Sequence, residues 1–306
     1  MLSEYSVGDT APPFHPNCVD GSIIPCFEDD FAADGSPISQ NMSFEQWEKR
    51  FVKSDLTSDG NSGIIQKTIS KNLDETLNQD LADRFEKKFA KVIDKQVGFT
   101  DDFKDNLKAA FANGTPTARK AYIKYLKPEV IGDTAYEKSA RFIPSENKIF
   151  FDVAALSNDP RGAATTYFHE FGHLIDYRAR GSGVRVSIDN PAYVKAIHKD
   201  FDDLIQNYMK SNKCTKDIAY NHFSNTLWKE KKLTNQISDL FGGLSQNKCI
   251  AKYGHRDLQY WNDGSLAREA FAHMFECQFD KVRYNLMQQY FPTALAEFEK
   301  MLGGII

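Results

Sequence analysis

Cysteine is scarce in this sequence, and the few cysteines are not arranged in pairs. No CxxC spacing occurs, and the five residues are scattered along the chain at Cys18, Cys26, Cys214, Cys249 and Cys277. An odd, scattered set of this kind indicates reduced thiols and not a disulfide framework. The first thirty residues also lack the apolar core of a signal peptide, and no apolar run approaches the roughly 20 residues of a membrane helix. These absences predict a protein that stays in the cytoplasm of the producing cell and has no membrane partner.

The chain also lacks an excess of basic residues. It has 38 lysines and arginines against 42 aspartates and glutamates, for a net charge of −4 over 306 residues. A general nucleic-acid-binding protein normally carries a basic excess or a basic stripe, so this class is excluded as an expectation. Hydrophobic residues at 41% and charged residues at 26% are typical of globular proteins, which excludes wholesale disorder.

The chain divides by pattern into three parts. Residues 1–42 are rich in proline and glycine, which leaves no room for a long helix and predicts an irregular segment. Residues 43–128 read as helical: Ser43 with Gln46 resembles a capping box, and apolar residues recur every three or four positions from Ile65 to Val92. Two shorter helices follow, one capped by Thr100 and one in TPTARKAYIKYL.

Residues 129–306 carry the signals of a mixed α and β domain. SARFIP and KIFFDVA are apolar runs of strand length, separated by a likely turn sequence at residues 145–147, and predict a hairpin. Asn158, Asp159 and Pro160 predict the start of a helix through ATTYFHEFGHLIDYRA that ends at Gly181. Further helices are predicted at about 191–211, 215–230 and 234–245, and a last pair in LAREAFAHMFECQF and PTALAEFEKML.

The sequence His169-Glu170-Phe171-Gly172-His173 is the strongest chemical signal. Residues i and i+4 of a helix share one face, so both imidazoles can point at one metal ion. Glu170 lies about 100° further round the helix, where a general base can take a proton from water at the metal's open position. An HExxH pattern is expected by chance in only about 1% of chains of this length. Asp176, seven residues after His169, is either an outer hydrogen-bond partner of a ligating imidazole or an exposed carboxylate.

Two histidines do not complete a zinc site, because a catalytic site needs a third protein ligand. The positions after His173 exclude the HExxHxxGxxH arrangement. TNQISDLFGG resembles the second zinc helix of thermolysin-like enzymes, but Asn235 stands where the glutamate is required. In LAREAFAHMFE, Glu269 and His273 are one helical turn apart on the same face, so geometry alone allows either of them to reach the ion.

FIPSENKIFFD, TTYFHEFGHLID and EAFAHMF together resemble the hairpin, the HEFGH helix and the E-x-F-A helix of the anthrax lethal factor catalytic domain and its relatives. With KYGHRDLQYW between them, they are also similar to metallopeptidase domains joined to bacteriophage minor head proteins. GDTAPPFHPNCVDGSIIPCFEDDF resembles the end of the phage Mu F-type head-morphogenesis domain, with Val19-Asp20 in place of the usual Arg-Cys. The resemblance covers about residues 8–30 and 139–280.

The resemblance implies roles for several residues of the site. It makes Glu269 the third zinc ligand, and His273 then stands where the relatives carry an outer carboxylate. It also implies a tyrosine that stabilises the oxyanion shortly before the ligand glutamate. Tyr260 is our assignment, and Tyr253 is the alternative.

Together these observations predict an α+β, mostly helical, zincin-like domain over residues 129–306, with a small mixed sheet and an edge strand, KIFFD, that pairs with an extended substrate. The expected function is a zinc-dependent endopeptidase of the gluzincin type, cytoplasmic or virion-associated, with a polypeptide substrate and phage head or portal proteins as partners. Two alternatives stay open: a structural head component whose zincin fold is not catalytic, and a delivered protease effector.

Overall fold

The structure is a computed structural model, and it describes residues 82–306 except 97, 127–130, 134–139, 158, 160 and 182–183. The chain divides into two compact units, Met1–Asp74 and Glu75–Ile306, and every described residue belongs to the second. The predicted irregular segment over 1–42, the capping box at Ser43 and the helical pattern from Ile65 to residue 81 lie outside the described residues.

The described unit is α+β and mostly helical, as predicted. Its helices are α1 (82–94), α2 (Asp101–Ala112), α3 (Pro116–Tyr125), α4 (Val153–Ser157), α5 (Ala163–Arg178), α6 (Pro191–Asn212), α7 (Lys216–Lys229), α8 (Asn235–Ser245), α9 (Asp263–Cys277), α10 (Lys281–Tyr290) and α11 (Pro292–Gly304). Its strands are β1 (Ile131–Asp133), β2 (Ala140–Ile143) and β3 (Lys148–Phe151). None of the helices in this part of the chain is both long and apolar enough to cross a membrane.

Helix starts follow the capping residues that the sequence offers. The Thr100 and Thr115 side chains accept hydrogen bonds from backbone amides in the first turns of α2 and α3. Asn262 and Ser265 form a reciprocal capping box at the start of α9. These short local contacts satisfy amides that have no partner within the helix, and the Thr100 cap is the one that the sequence analysis predicts.

Two details of the helices differ from the sequence prediction. Helix α5 begins at Ala163, after Gly162 at φ +98°, and not at the predicted start near Asp159. The Asp159 carboxylate instead pairs with the Arg161 guanidinium and accepts the Thr166 hydroxyl. Helix α10 was not predicted, although Asp280 caps its first turn by accepting the amides of residues 282 and 283.

The strand order corrects the predicted edge strand. β2 and β3 form the predicted antiparallel hairpin, and β1 pairs with β3 in parallel, so the order is β1-β3-β2. KIFF is therefore the middle strand and cannot serve as an edge. Ile149 and Phe151 of β3 are fully buried, whereas no residue of β2 is. The more exposed β2 is thus the outer strand, and its residues Ala140, Arg141 and Phe142 line the cleft.

One aromatic core joins the helices on both sides of residue 128. The Phe89 ring of α1 stacks on Phe111 at 4.2 Å, and Tyr122 of α3 lies 4.3 Å from Phe171 of α5, between ring centroids. All four side chains are buried in the same cluster. The domain boundary predicted at 128/129 therefore falls inside this unit, because the long apolar side chains of α1–α3 cover the buried face of α5.

Helices α5 and α9 approach so closely that only glycine fits at the crossing. A Cβ added to Gly172 would lie 2.6 Å from the Cα of Ala272 and 3.2 Å from its Cβ. The two small residues set the separation of the helices and, with it, the separation of the side chains that these helices present to each other.

Gly172→Ala is expected to destabilise the fold by about 1–3 kcal/mol or more, because the added methyl group overpacks a backbone contact that cannot yield. Gly303→Ala on α11 is the matched control, since a Cβ there meets no atom within 4 Å. Helix propensity predicts a gain of about 0.5–1 kcal/mol for that control. Thermal and denaturant unfolding of both variants measure the difference, and equal behaviour would contradict the close approach.

Candidate metal centre and catalytic cleft

The HExxH residues lie on α5 as their spacing predicts. His169 and His173 present their imidazoles from one face, with ring centroids 4.8 Å apart and planes at 89°. Phe168, Phe171 and Leu174 point into the core from the other faces and are fully buried. The apolar side chains therefore fix the rotation of α5, and this rotation turns both histidines toward α9.

Glu269 of α9 completes a group of three possible metal ligands. Its Oε2 atom lies 3.3 Å from Nε2 of His169 and 3.5 Å from Nε2 of His173. The side chain of Glu269 is 4% exposed, and Oε2 has no hydrogen-bond partner. A buried carboxylate oxygen without a partner is costly unless something else satisfies it. A cation between these three atoms would satisfy it, so the residues present fit a metal ion.

The electrostatic surroundings keep Glu269 ionised. Burial by itself raises the pKa of this carboxyl, but the neighbouring imidazoles of His173 and His169 outweigh it and hold the pKa well below its usual range. An ionised carboxylate is the form that binds a cation.

His273, the rival third ligand, is buried like Glu269 but does not accompany His173. A ring nitrogen of His273 lies within 4.8 Å of possible ligand atoms of His169 and Glu276, or of Asp239 and Glu269, and neither set includes His173. Its ring centroid is 4.4 Å from that of His169. The structure therefore brings Glu269, and not His273, to the point where the two HExxH imidazoles converge.

Glu276 is a site residue that the sequence analysis missed. Its Oε2 lies 3.0 Å from Nδ1 of His169, and its side chain is 2% exposed. Because a carboxylate only accepts, Nδ1 donates and Nε2 of His169 is left to face Glu269. The signal was present in the sequence, since Glu269, His273 and Glu276 stand at i, i+4 and i+7 on one helical face.

Asp176 takes a different position from the one predicted. It is fully buried, so the alternative of an exposed carboxylate is wrong. Its two oxygens accept the amide and the hydroxyl of Ser187, each at 2.8 Å, and Arg185 lies 3.7 Å away. Within the described residues the contacts of Asp176 do not include a hydrogen bond to either HExxH imidazole. Its carboxylate ties the loop after α5 to the helix.

These contacts predict opposite effects for two conservative substitutions. Glu276→Gln should weaken metal affinity by roughly 10–100-fold, as loss of an outer carboxylate usually does, with little loss of stability. Asp176→Asn should lower the melting temperature because a buried acceptor of Ser187 is altered, and should leave metal affinity nearly unchanged. Chelator competition and thermal unfolding on both proteins test the pair. The reverse pattern would show that Asp176 is the outer partner.

Tyr260 lies in the site, but its hydroxyl is already engaged. It donates to Oε1 of Glu269, the oxygen that does not face the histidines. Burial and the nearby Glu269 carboxylate raise the pKa of Tyr260, so the phenol stays protonated. Its position is that of a residue that orients Glu269. Tyr253, the alternative, also lines the cleft, with the Arg161 guanidinium 5.8 Å above its ring.

Glu170 is held by the edge of the sheet. Its Oε2 accepts the backbone amide of Phe142 in β2 at 2.8 Å, and the residue is 7% exposed. The contact fixes the carboxylate beside the histidines and joins β2 to α5. It could not be read from the sequence, because it pairs a strand amide with a side chain 28 residues further on.

A cleft of about 520 Å³ opens above these residues. β2 and α4 form one wall through Ala140, Phe142 and Leu156, and Arg161 stands beside them. The opposite wall is the segment between α8 and α9, which contributes Tyr253 and His255. The candidate ligands and Glu170 thus line the same cavity.

Asn235 of α8 is buried and receives a hydrogen bond from Arg283, so the position that lacks the glutamate has a structural contact.

Asp239 of α8 is a second residue that the sequence analysis missed. It accepts hydrogen bonds from Nε2 of His273 at 3.0 Å and from the amide and Nδ1 of His255 at 2.6 and 3.1 Å. Burial raises the pKa of Asp239, but the two histidines outweigh this and lower it to about 2.

Comparison with known proteins gives no relative: no family model, no curated protein and no solved structure matches the chain.

Proposed function

We propose that this protein is a zinc-dependent endopeptidase of the His₂Glu type with a zincin-like fold. The observation that carries the proposal is the convergence of His169, His173 and Glu269 beside Glu170 in one cleft. Zinc bonds of about 2.0–2.2 Å in a tetrahedral site separate neighbouring ligand atoms by about 3.3–3.6 Å. The distances of 3.3 and 3.5 Å from Oε2 of Glu269 to the two Nε2 atoms agree with that separation.

The residues of the chain divide the chemistry among them. When bound, zinc would supply a Lewis acid that polarises a carbonyl and acidifies water. Glu170 accepts the proton of the attacking water on Oε1, while the Phe142 amide holds Oε2, and then passes that proton to the leaving amine nitrogen. Tyr260 orients Glu269, and Glu276 orients His169. The predicted contribution of Tyr260 to the oxyanion requires its hydroxyl to leave Glu269.

The substrate that fits is an extended polypeptide. β2 is the outer strand of the described sheet on the cleft side. The backbone N–H and C=O groups of Ala140 and Phe142 point away from β3, because the Phe142 amide donates to Glu170 and alternate residues of a strand share one direction. An extended chain can pair with this strand and lie across the histidines. The substrate strand thus pairs with ARFI, in place of the KIFF edge that the sequence predicted.

The association with a phage head belongs to the proposal as well. It rests on the resemblance of the metallopeptidase motifs with KYGHRDLQYW between them, and on that of residues 8–30, which lie outside the described residues. A non-catalytic head component is the principal alternative, and retention of Glu170 with both histidines argues against it, because metal binding alone needs no general base.

A peptide-library digest tests the function. The zinc-loaded full chain is incubated with the library, and mass spectrometry detects new termini, with Glu170→Gln as the parallel sample. Cleavage by the wild type alone supports the proposal. Equal cleavage by both proteins shows that the activity does not depend on Glu170 and contradicts the proposal, and no cleavage by a zinc-saturated wild type favours the non-catalytic head component.

A further inference from the structure

Histidines and carboxylates alternate in a chain of contacts from the metal centre to the cleft wall. Nδ1 of His169 contacts Glu276 at 3.0 Å, and the other oxygen of Glu276 lies 3.4 Å from Nδ1 of His273. Nε2 of His273 contacts Asp239 at 3.0 Å, and Asp239 contacts Nδ1 of His255 at 3.1 Å. The candidate ligand His169 is therefore connected to His255, which lines the cleft.

The middle of this chain is screened from water. The side chains of Glu276, His273 and Asp239 are 2%, 6% and 5% exposed, whereas that of His255 is 44% exposed. Contacts between polar groups in such a low-dielectric interior are strong, and neighbouring ones reinforce each other. A change at one end is thus transmitted with little loss to screening.

His273 connects the metal side of this series of contacts, through Glu276, to its cleft side, through Asp239. Each of its ring nitrogens faces a carboxylate, and Nδ1 and the facing Oε1 of Glu276 are both buried without a hydrogen-bond partner. Because the imidazole is rigid, a shift that closes this 3.4 Å contact also moves Nε2 against Asp239. One ring therefore adjusts both carboxylates together.

We propose that His273 is a positioning residue that couples zinc binding at His169 to the orientation of His255 in the cleft. The inference rests on the proposed function, since it takes zinc as the ion and the cleft as the substrate site.

The cleft end of the chain is placed to use such coupling. The His255 ring stacks on Tyr260 at 4.3 Å with planes at 11°, and Tyr260 donates to Glu269. Nδ1 of His255 is directed at Asp239, which leaves Nε2 as the ring nitrogen for a ligand in the cleft. Zinc binding would thus fix the orientation of the His255 imidazole, which a peptide in the cleft can contact.

A double-mutant cycle on the full chain measures the coupling with zinc alone. Asp239 makes no contact with His169 or His173 among those described, yet Asp239→Asn is expected to weaken zinc affinity by about three- to tenfold. In a His273→Gln background the same substitution should change affinity by less than about twofold. An effect of charge through space would persist in that background and would overturn the proposal.

Asp263→Asn is the matched control. Asp263 lies on the same helix as Glu269 and His273 and pairs with a histidine, His198, at 3.3 Å, but both are exposed and off the chain of contacts. This substitution should leave zinc affinity unchanged. Thermal unfolding of every variant identifies those whose fold is impaired.

The ring ¹⁵N signals of His255 give a second readout that does not depend on activity. Zinc titration of histidine-labelled wild type should shift them, and Asp239→Asn should abolish the shift. If His273→Gln does not fold, this titration still decides, because unchanged His255 signals overturn the coupling. If the protein binds no zinc, the proposed function and the inference both fail. If it binds zinc normally but without this coupling, only the inference fails.

Discussion

Replacing Glu170 by glutamine is expected to leave zinc bound stoichiometrically while peptide cleavage falls by roughly 10²–10⁴-fold or more, the usual contribution of a general base. The amide oxygen of glutamine can still accept the Phe142 N–H, so the local structure is retained. What is lost is the ability to take a proton. Metal analysis and a cleavage assay on the same preparation measure the two quantities.

Glu146→Gln is the control for that experiment, because Glu146 is exposed in the turn between β2 and β3. It should keep both zinc and activity. Undiminished cleavage by Glu170→Gln would end the metallopeptidase proposal, and loss of zinc together with cleavage would mean that Glu170 has a structural role in the centre.

Glu269→Ala is expected to abolish both tight zinc binding and cleavage. It removes the oxygen toward which both Nε2 atoms converge, so the fall in affinity should exceed the roughly 10–100-fold caused by losing an outer contact. His273→Ala should fall in that smaller range and keep measurable activity. Chelator competition ranks the variants, with Glu297→Ala on α11 as a substitution far from the centre in sequence.

The reverse order would contradict the ligand assignment. If His273→Ala strips the metal while Glu269→Ala retains it, the centre has three histidine ligands. Thermal unfolding accompanies both variants, since each leaves a cavity in a buried part of α9.

The sequence predicts well those features that depend on neighbouring residues. The Thr100 cap, the hairpin turn and the shared face of His169 and His173 all depend on spacings of a few residues, and the structure has them. The fold class follows from the same periodicities. Glu269 was favoured through the resemblance, and the distances place it beside both imidazoles.

Features that depend on distant contacts could not be predicted. The middle position of KIFF depends on a pairing with β1, about eighteen residues earlier, and Asp176 meets a serine in the next loop. Glu276 belongs between these cases. Its spacing from Glu269 was visible, but its role appears only when α9 lies against α5 and brings it to His169.

Under the proposed function, the hydrogen bond between Phe142 and Glu170 restricts how a peptide would align in the cleft. An incoming strand that needs the amide of residue 142 has to displace the general base, exchanging a charge-assisted hydrogen bond for a neutral one about half as strong. A strand shifted to use only Ala140 and the carbonyl of Phe142 meets no such competition. Under the proposed function, the hydrogen bond between Phe142 and Glu170 therefore favours one register of a bound peptide, and with it one scissile bond.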